Sequence, residues 1–76
     1  MYHEPEIMER IRCAFPVGAR VKVIASDLPE YIGAIGTVVD YDPGCEGDYP
    51  LVGVRFDTPV LQRERDGFYD DEIVII

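Results

Sequence analysis

Two neighbouring segments carry the clearest structural signal in this chain: Gly18-Ala19-Arg20-Val21-Lys22-Val23 and then Tyr31-Ile32-Gly33-Ala34-Ile35-Gly36-Thr37-Val38-Val39. In the first segment, polar and apolar residues alternate from Arg20 to Val23, which is the period-two pattern of a half-buried β-strand. In the second, Gly33 and Gly36 permit a tight turn into the next strand, at positions where a Cβ would clash or force an unfavourable φ. The two segments therefore predict consecutive strands joined by a loop.

The β character continues to the end of the chain. Runs of β-branched and aromatic residues predict further strands, and Gly, Pro, Asp and Ser cluster between them. The strands predicted after 20–23 are 36–41, 51–56, a short one at 60–62 and 73–76, with loops, turns or interruptions at 26–30, 42–48, 58–59 and 63–67. The predicted fold class is mainly β, a small barrel of about five short antiparallel strands, because closure protects strand edges that a flat sheet would expose.

A short helix is predicted before the barrel. Residues 4–13 begin with Pro5 and three glutamates and end with two arginines, which is the favourable arrangement for the helix dipole. Ile7, Met8 and Ile11 form one apolar stripe, and a helix this short is marginal alone. We therefore predict that a helical segment at 1–15 packs on the barrel at 16–76. It could also cover one face of the last strand, which is apolar on both faces.

The bulk properties indicate a single acidic domain. The chain has 76 residues and a net charge of −8, from 15 acidic and seven basic side chains. Proteins that bind DNA neutralise it with Lys and Arg, so the charge favours a basic partner over nucleic acid. The two cysteines form no C-x-x-C motif, the N-terminus has no apolar run, and no stretch approaches the roughly 20 apolar residues of a membrane span. These features predict a cytoplasmic protein with free thiols, no metal site and no membrane contact.

The segments at 18–23 and 31–39 resemble the opening of an SH3-like or KOW-type small barrel, in which Gly-x-x-Val-x-Val precedes a loop and Gly-x-x-Gly-x-Val. The segments at 54–57 and 68–73 resemble the later strands of such domains. The resemblance covers 16–76 and implies an SH3-like fold. KOW modules that touch RNA are usually basic around these glycines, whereas Asp27 and Glu30 precede them here. More loosely, the chain resembles the acidic SH3-like antirepressor of bacterial carotenoid regulation, whose barrel takes the place of operator DNA on its repressor.

No pattern in the sequence predicts catalysis. The single histidine, His3, lies at a terminus, where chains fray, and no base is marked beside a nucleophile. The glycines at 33 and 36 lack the Lys and Ser/Thr of a P-loop, and the acids between Asp40 and Asp48 do not follow the ligand order of a calcium loop. We therefore predict no enzyme activity, no catalytic residue, no metal ligand and no cofactor.

Two acidic clusters with tyrosines beside or within them form the candidate binding surface, because protein interfaces favour aromatic anchors. The candidate partner-binding residues are Tyr31, Asp40, Tyr41, Asp42, Glu46, Asp48, Tyr49, Glu64, Asp66, Tyr69, Asp70 and Asp71. If the loops at one end of the barrel meet, Tyr31, Tyr49 and Tyr69 line one groove. Solubility is the alternative role for the acids, and core packing is the alternative for the tyrosines.

The predicted function is a small non-catalytic binding protein or regulator that presents acids to a basic protein surface. The nucleic-acid-binding face of another protein is one such surface. Two alternatives stay open: a KOW-type nucleic-acid or ribosome-associated module, and an accessory subunit of an enzyme complex. The chain has no tryptophan, so it does not reproduce the proline-rich-peptide groove of signalling SH3 domains.

Overall fold

The computed structural model describes residues 5–43 and 49–76. Among these residues it has one α-helix, α1 (Pro5–Ala14), and five strands, β1 (Arg20–Val23), β2 (Ile35–Asp42), β3 (Leu51–Val60), β4 (Arg63–Phe68) and β5 (Ile73–Ile75). A single 3-10 turn, Pro29–Tyr31, lies between β1 and β2. All strand pairs are antiparallel, in the order β4-β3-β2-β1-β5. The predicted mainly-β class, with about five short antiparallel strands and an N-terminal helix, is confirmed.

Two glycines explain how the chain turns into β2. Gly33 has a φ of +94°, a left-handed conformation that glycine adopts without steric cost, and its N–H donates to the Val23 carbonyl at 2.8 Å. At Gly36, an added Cβ would meet the Arg55 carbonyl oxygen of β3, so only glycine allows the two backbones to approach. A register shift between Val38 and Asp40 then marks a bulge, which bends β2 and helps the sheet to curl.

The hairpin that joins β3 and β4 differs from the prediction. The sequence predicts an interruption at 58–59, a strand at 60–62 and a turn at 63–67. In the structure β3 continues through Pro59 to Val60, the turn is Leu61-Gln62, and β4 starts at Arg63. Both turn residues have positive φ, 51° and 64°, which a type I′ hairpin requires. Neither residue is the Gly or Asn that marks such turns, so the sequence pattern does not reveal this hairpin.

The core lies between the curled strands and α1. Five valines of β1, β2 and β3 are 0–1% exposed, and an aromatic cluster of Tyr31, Phe56 and Phe68 fills the rest of the interior. From the helical side, Ile11 and Phe15 are buried in the same cluster, and Ile7 packs against it. The core therefore draws on the helix as well as on all five strands.

The end of the chain is less covered than we expected. Ile73 is 2% exposed, but Val74, Ile75 and Ile76 are 37%, 49% and 58% exposed. α1 therefore leaves much of this apolar run accessible. Cys13 is an exposed free thiol. No helix within 5–43 and 49–76 is long and apolar enough to cross a membrane.

Candidate functional site

Tyr31 is a core residue. Its side chain is 2% exposed, and its ring centroid lies 5.3 Å from that of Phe56 and 5.5 Å from that of Phe68. Its hydroxyl donates a hydrogen bond to Asp66 Oδ2 at 2.6 Å. This bond to a carboxylate, together with burial, raises the pKa of the Tyr31 hydroxyl above its ordinary value. Tyr31 thus anchors the core through its ring, while its hydroxyl reaches the half-buried carboxylate of Asp66.

In the first acidic cluster, Asp40 is engaged within the molecule. Asp40 accepts two hydrogen bonds from Arg65 Nη2, at 2.6 and 2.8 Å. The Tyr41 hydroxyl donates to the Phe15 carbonyl at 2.6 Å, and the Arg12 guanidinium lies 5.8 Å from the Tyr41 ring centroid. These contacts tie β2 to β4 and to the helical segment. Asp42 is exposed at the end of β2, and the candidates Glu46 and Asp48 lie outside the described residues.

The second acidic cluster divides into engaged and unengaged carboxylates. Asp66 accepts from Tyr31, from Arg63 Nη1 at 3.3 Å and from the N–H of Gly67 at 2.8 Å. Glu64 is exposed on the same strand and, within the described residues, has no bonded partner.

A short turn between β4 and β5 places the remaining acids. The Tyr69 N–H donates to Glu72 Oε1 at 2.9 Å, and the Glu72 N–H donates to the Tyr69 carbonyl at 2.9 Å. The two reciprocal bonds fix a four-residue turn, with Asp70 and Asp71 at its two central positions. Neither of these carboxylates forms a hydrogen bond or an ion pair within the part of the chain that the structure describes.

Tyr49 and Tyr69 meet beside this turn. Their ring centroids are 6.3 Å apart and the ring planes are tilted by 60°. With Asp70 and Asp71 they line an open cavity of about 390 Å³. Tyr31, the third tyrosine that the sequence predicts in this groove, does not line this cavity.

A second cavity, of about 250 Å³, also has Tyr69 in its wall. Its lining includes Tyr31 and the acids Asp27, Asp66 and Glu72. We call the two cavities together the Tyr69 groove. Five carboxylates line it, and no Lys or Arg of the described residues does. Asp27 and Glu72 were absent from the predicted contact residues. Asp27 lies in the loop just before the 3-10 turn that carries Tyr31, and this position is the sequence signal that could have identified Asp27.

The basic side chains lie mainly on another face. Strand register aligns Arg20, Thr37, Arg55 and Arg65 across β1 to β4, and Lys22 projects outward between two buried valines. Arg20 forms an ion pair with Asp57, which raises the pKa of Arg20 and lowers that of Asp57. Four of the seven cations therefore lie on the outer face of the sheet, where Arg20 and Arg65 are paired with Asp57 and Asp40.

The described residues contain no cluster of three or more His, Cys, Asp or Glu side chains arranged to hold a metal ion. Comparison with known proteins assigns no family: no protein-family model, curated protein or solved structure matches the chain.

Proposed function

We propose that this chain is a small non-catalytic binding protein that presents the Tyr69 groove to a basic surface of a partner protein. The observation that carries the proposal is the lining of the groove: five carboxylates, the tyrosines, and no described Lys or Arg. Aromatic side chains supply contact area at interfaces, while complementary charge gives specificity and steers encounter. The net charge of −8 extends the same attraction over a longer range.

We also propose that the fold is an SH3-like barrel and that the protein is cytoplasmic. It is supported by the five-stranded antiparallel order, in which β5 returns to pair with β1, and by the free thiol of Cys13. The nucleic-acid-binding face of another protein is one partner surface of the required charge. Direct binding to nucleic acid is disfavoured, because Arg20 and Arg65 on the outer face are already paired with acids.

The proposal is tested by affinity capture from native lysate, followed by titration of the purified partner. We expect a basic protein that binds at low salt and dissociates as salt rises towards 1 M, where the screening length falls to about 3 Å. The double variant Asp70→Asn/Asp71→Asn should release it, whereas Glu9→Gln/Glu30→Gln, with the same charge change elsewhere, should retain it. Salt-insensitive binding would refute the proposal, and so would capture of RNA or DNA in place of a protein.

A further inference from the structure

We infer that the cavity lined by Tyr49, Tyr69, Asp70 and Asp71 receives one arginine side chain of the partner. This inference deepens the proposed function and rests on it, because it names the side chain that the groove takes. Two features of the cavity are independent of overall acidity: the paired rings, and two carboxylates that bond no other residue in the part of the chain that the structure describes.

Internal contacts separate Asp70 and Asp71 from Asp66 and Glu72, and Asp27, which has no bonded partner among the described residues either, lines the neighbouring cavity and not the one with the paired rings. Asp66 is bonded to Tyr31 and Arg63, and the Glu72 carboxylate is bonded to the Tyr69 N–H. Asp70 and Asp71 carry full acceptor capacity into the cavity, at a turn already closed by two hydrogen bonds. Less conformational freedom is then lost when a ligand binds, because the turn is formed beforehand.

The rings favour arginine over lysine. A guanidinium is planar, stacks on aromatic faces, is weakly hydrated and donates in a fork that matches a carboxylate, whereas an ammonium is a strongly hydrated point charge. The two rings contact each other, with centroids 6.3 Å apart and planes tilted by 60°. A guanidinium therefore cannot be sandwiched between them and must stack on an outer face. Tyr69 is 43% exposed, so its open face is where the guanidinium stacks. One end of the fork then reaches Asp70 or Asp71.

The cavity is large enough to admit a side chain. About 390 Å³ is at the lower end of the range of small-ligand pockets, roughly 300–1,000 Å³, and the cavity is open to solvent. A residue carried on a partner's surface can therefore enter it without rearrangement of the turn. The neighbouring cavity, with Asp27, Asp66 and Glu72, would attract further cations of the same basic segment.

The test compares two fluorescein-labelled peptides of equal charge, one with four arginines and one with four lysines in a Gly-Ser background, titrated by anisotropy at low salt. We expect the arginine peptide to bind about three- to fivefold more tightly, as stacking on an exposed ring implies. Tyr69→Leu should remove the preference for arginine while leaving the lysine peptide nearly unaffected. Asp70→Asn/Asp71→Asn should weaken both peptides by more than Glu9→Gln/Glu30→Gln does.

The outcomes separate the inference from the proposed function. Equal affinity for the two peptides, or equal losses from the two charge-matched double variants, would overturn the arginine cavity and leave general attraction to a basic partner intact. Binding of neither peptide would overturn the inference, and it would count against the proposed function as well.

Discussion

Removal of the Tyr31 hydroxyl tests whether its hydrogen bond to Asp66, in the wall of the Tyr69 groove, stabilises the fold. The ring of Tyr31 packs between Phe56 and Phe68, and its hydroxyl reaches Asp66 at 2.6 Å. Tyr31→Phe keeps the ring and removes only the hydrogen bond. We expect the fold to persist with a lower free energy of unfolding.

The expected loss follows from the environment of the bond. Hydrogen bonds to charged groups contribute roughly 1.5–3 kcal/mol. Here Asp66 is 31% exposed and keeps its contacts with Arg63 and with the N–H of Gly67, so the carboxylate is not left without partners. Solvent can also replace the lost donor. We therefore expect the free energy of unfolding to fall by about 1–1.5 kcal/mol. In a domain of this size, each kcal/mol lowers Tm by about 4–8 °C.

Urea denaturation followed by circular dichroism measures the change, with Tyr69→Phe as the matched control. The Tyr69 ring is 43% exposed and its hydroxyl bonds no other described residue, so its loss should change stability by less than about 0.5 kcal/mol. If Tyr31→Phe fell in the same small range as the control, the bond to Asp66 would contribute nothing and the reasoning would be refuted. An unchanged m-value would confirm that both states keep their compactness.

Two further predictions concern the same hydroxyl and the unpredicted turn. Because folding raises the pKa of the Tyr31 hydroxyl, the stabilisation from this hydroxyl should be complete below about pH 10 and should decline as pH rises through the folded pKa. Urea midpoints measured from about pH 8 to pH 11 should therefore fall less steeply in Tyr31→Phe than in the unsubstituted protein. Parallel curves would contradict this. Leu61→Asn/Gln62→Gly supplies the residues that prefer positive φ, so thermal unfolding should show stabilisation of about 1 kcal/mol, and a lower Tm would count against a type I′ turn.

The first half of the sheet could be predicted from the sequence because local chemistry determines it. Arg20–Val23 alternates in the pattern that its burial later shows, and Gly33 and Gly36 occupy the two positions where a side chain would be strained or would clash. The hairpin from Leu61 to Gln62 could not be predicted, because tertiary pairing overrides turn propensity there. The charged residues of β4 look like a loop until Arg65 is seen opposite Arg55 and Asp66 opposite Val54.

The candidate site was predicted in part. Tyr49, Tyr69, Asp70 and Asp71 do meet, since Tyr49 precedes β3 and Tyr69 follows β4, and these two strands pair with each other. The burial of Tyr31 could not be deduced, because its position depends on the aromatic cluster that forms only when distant strands close. Sequence shows which tyrosines lie near acids but not which of them the core requires.

The distribution of ion pairs changes how the acidity of the chain should be understood. Counting acids along the sequence gives the clusters at 40–48 and 64–72 similar weight. In three dimensions Asp40, Asp57 and Asp66 each pair with an arginine; two of these contacts join strands that are distant in sequence, and the third lies within β4. Such exposed pairs add little to stability, but they leave less charge for a partner. Under the proposed function, Asp70 and Asp71, which bond no other described residue, therefore matter more for recognition than the larger number of acids that the sequence contains.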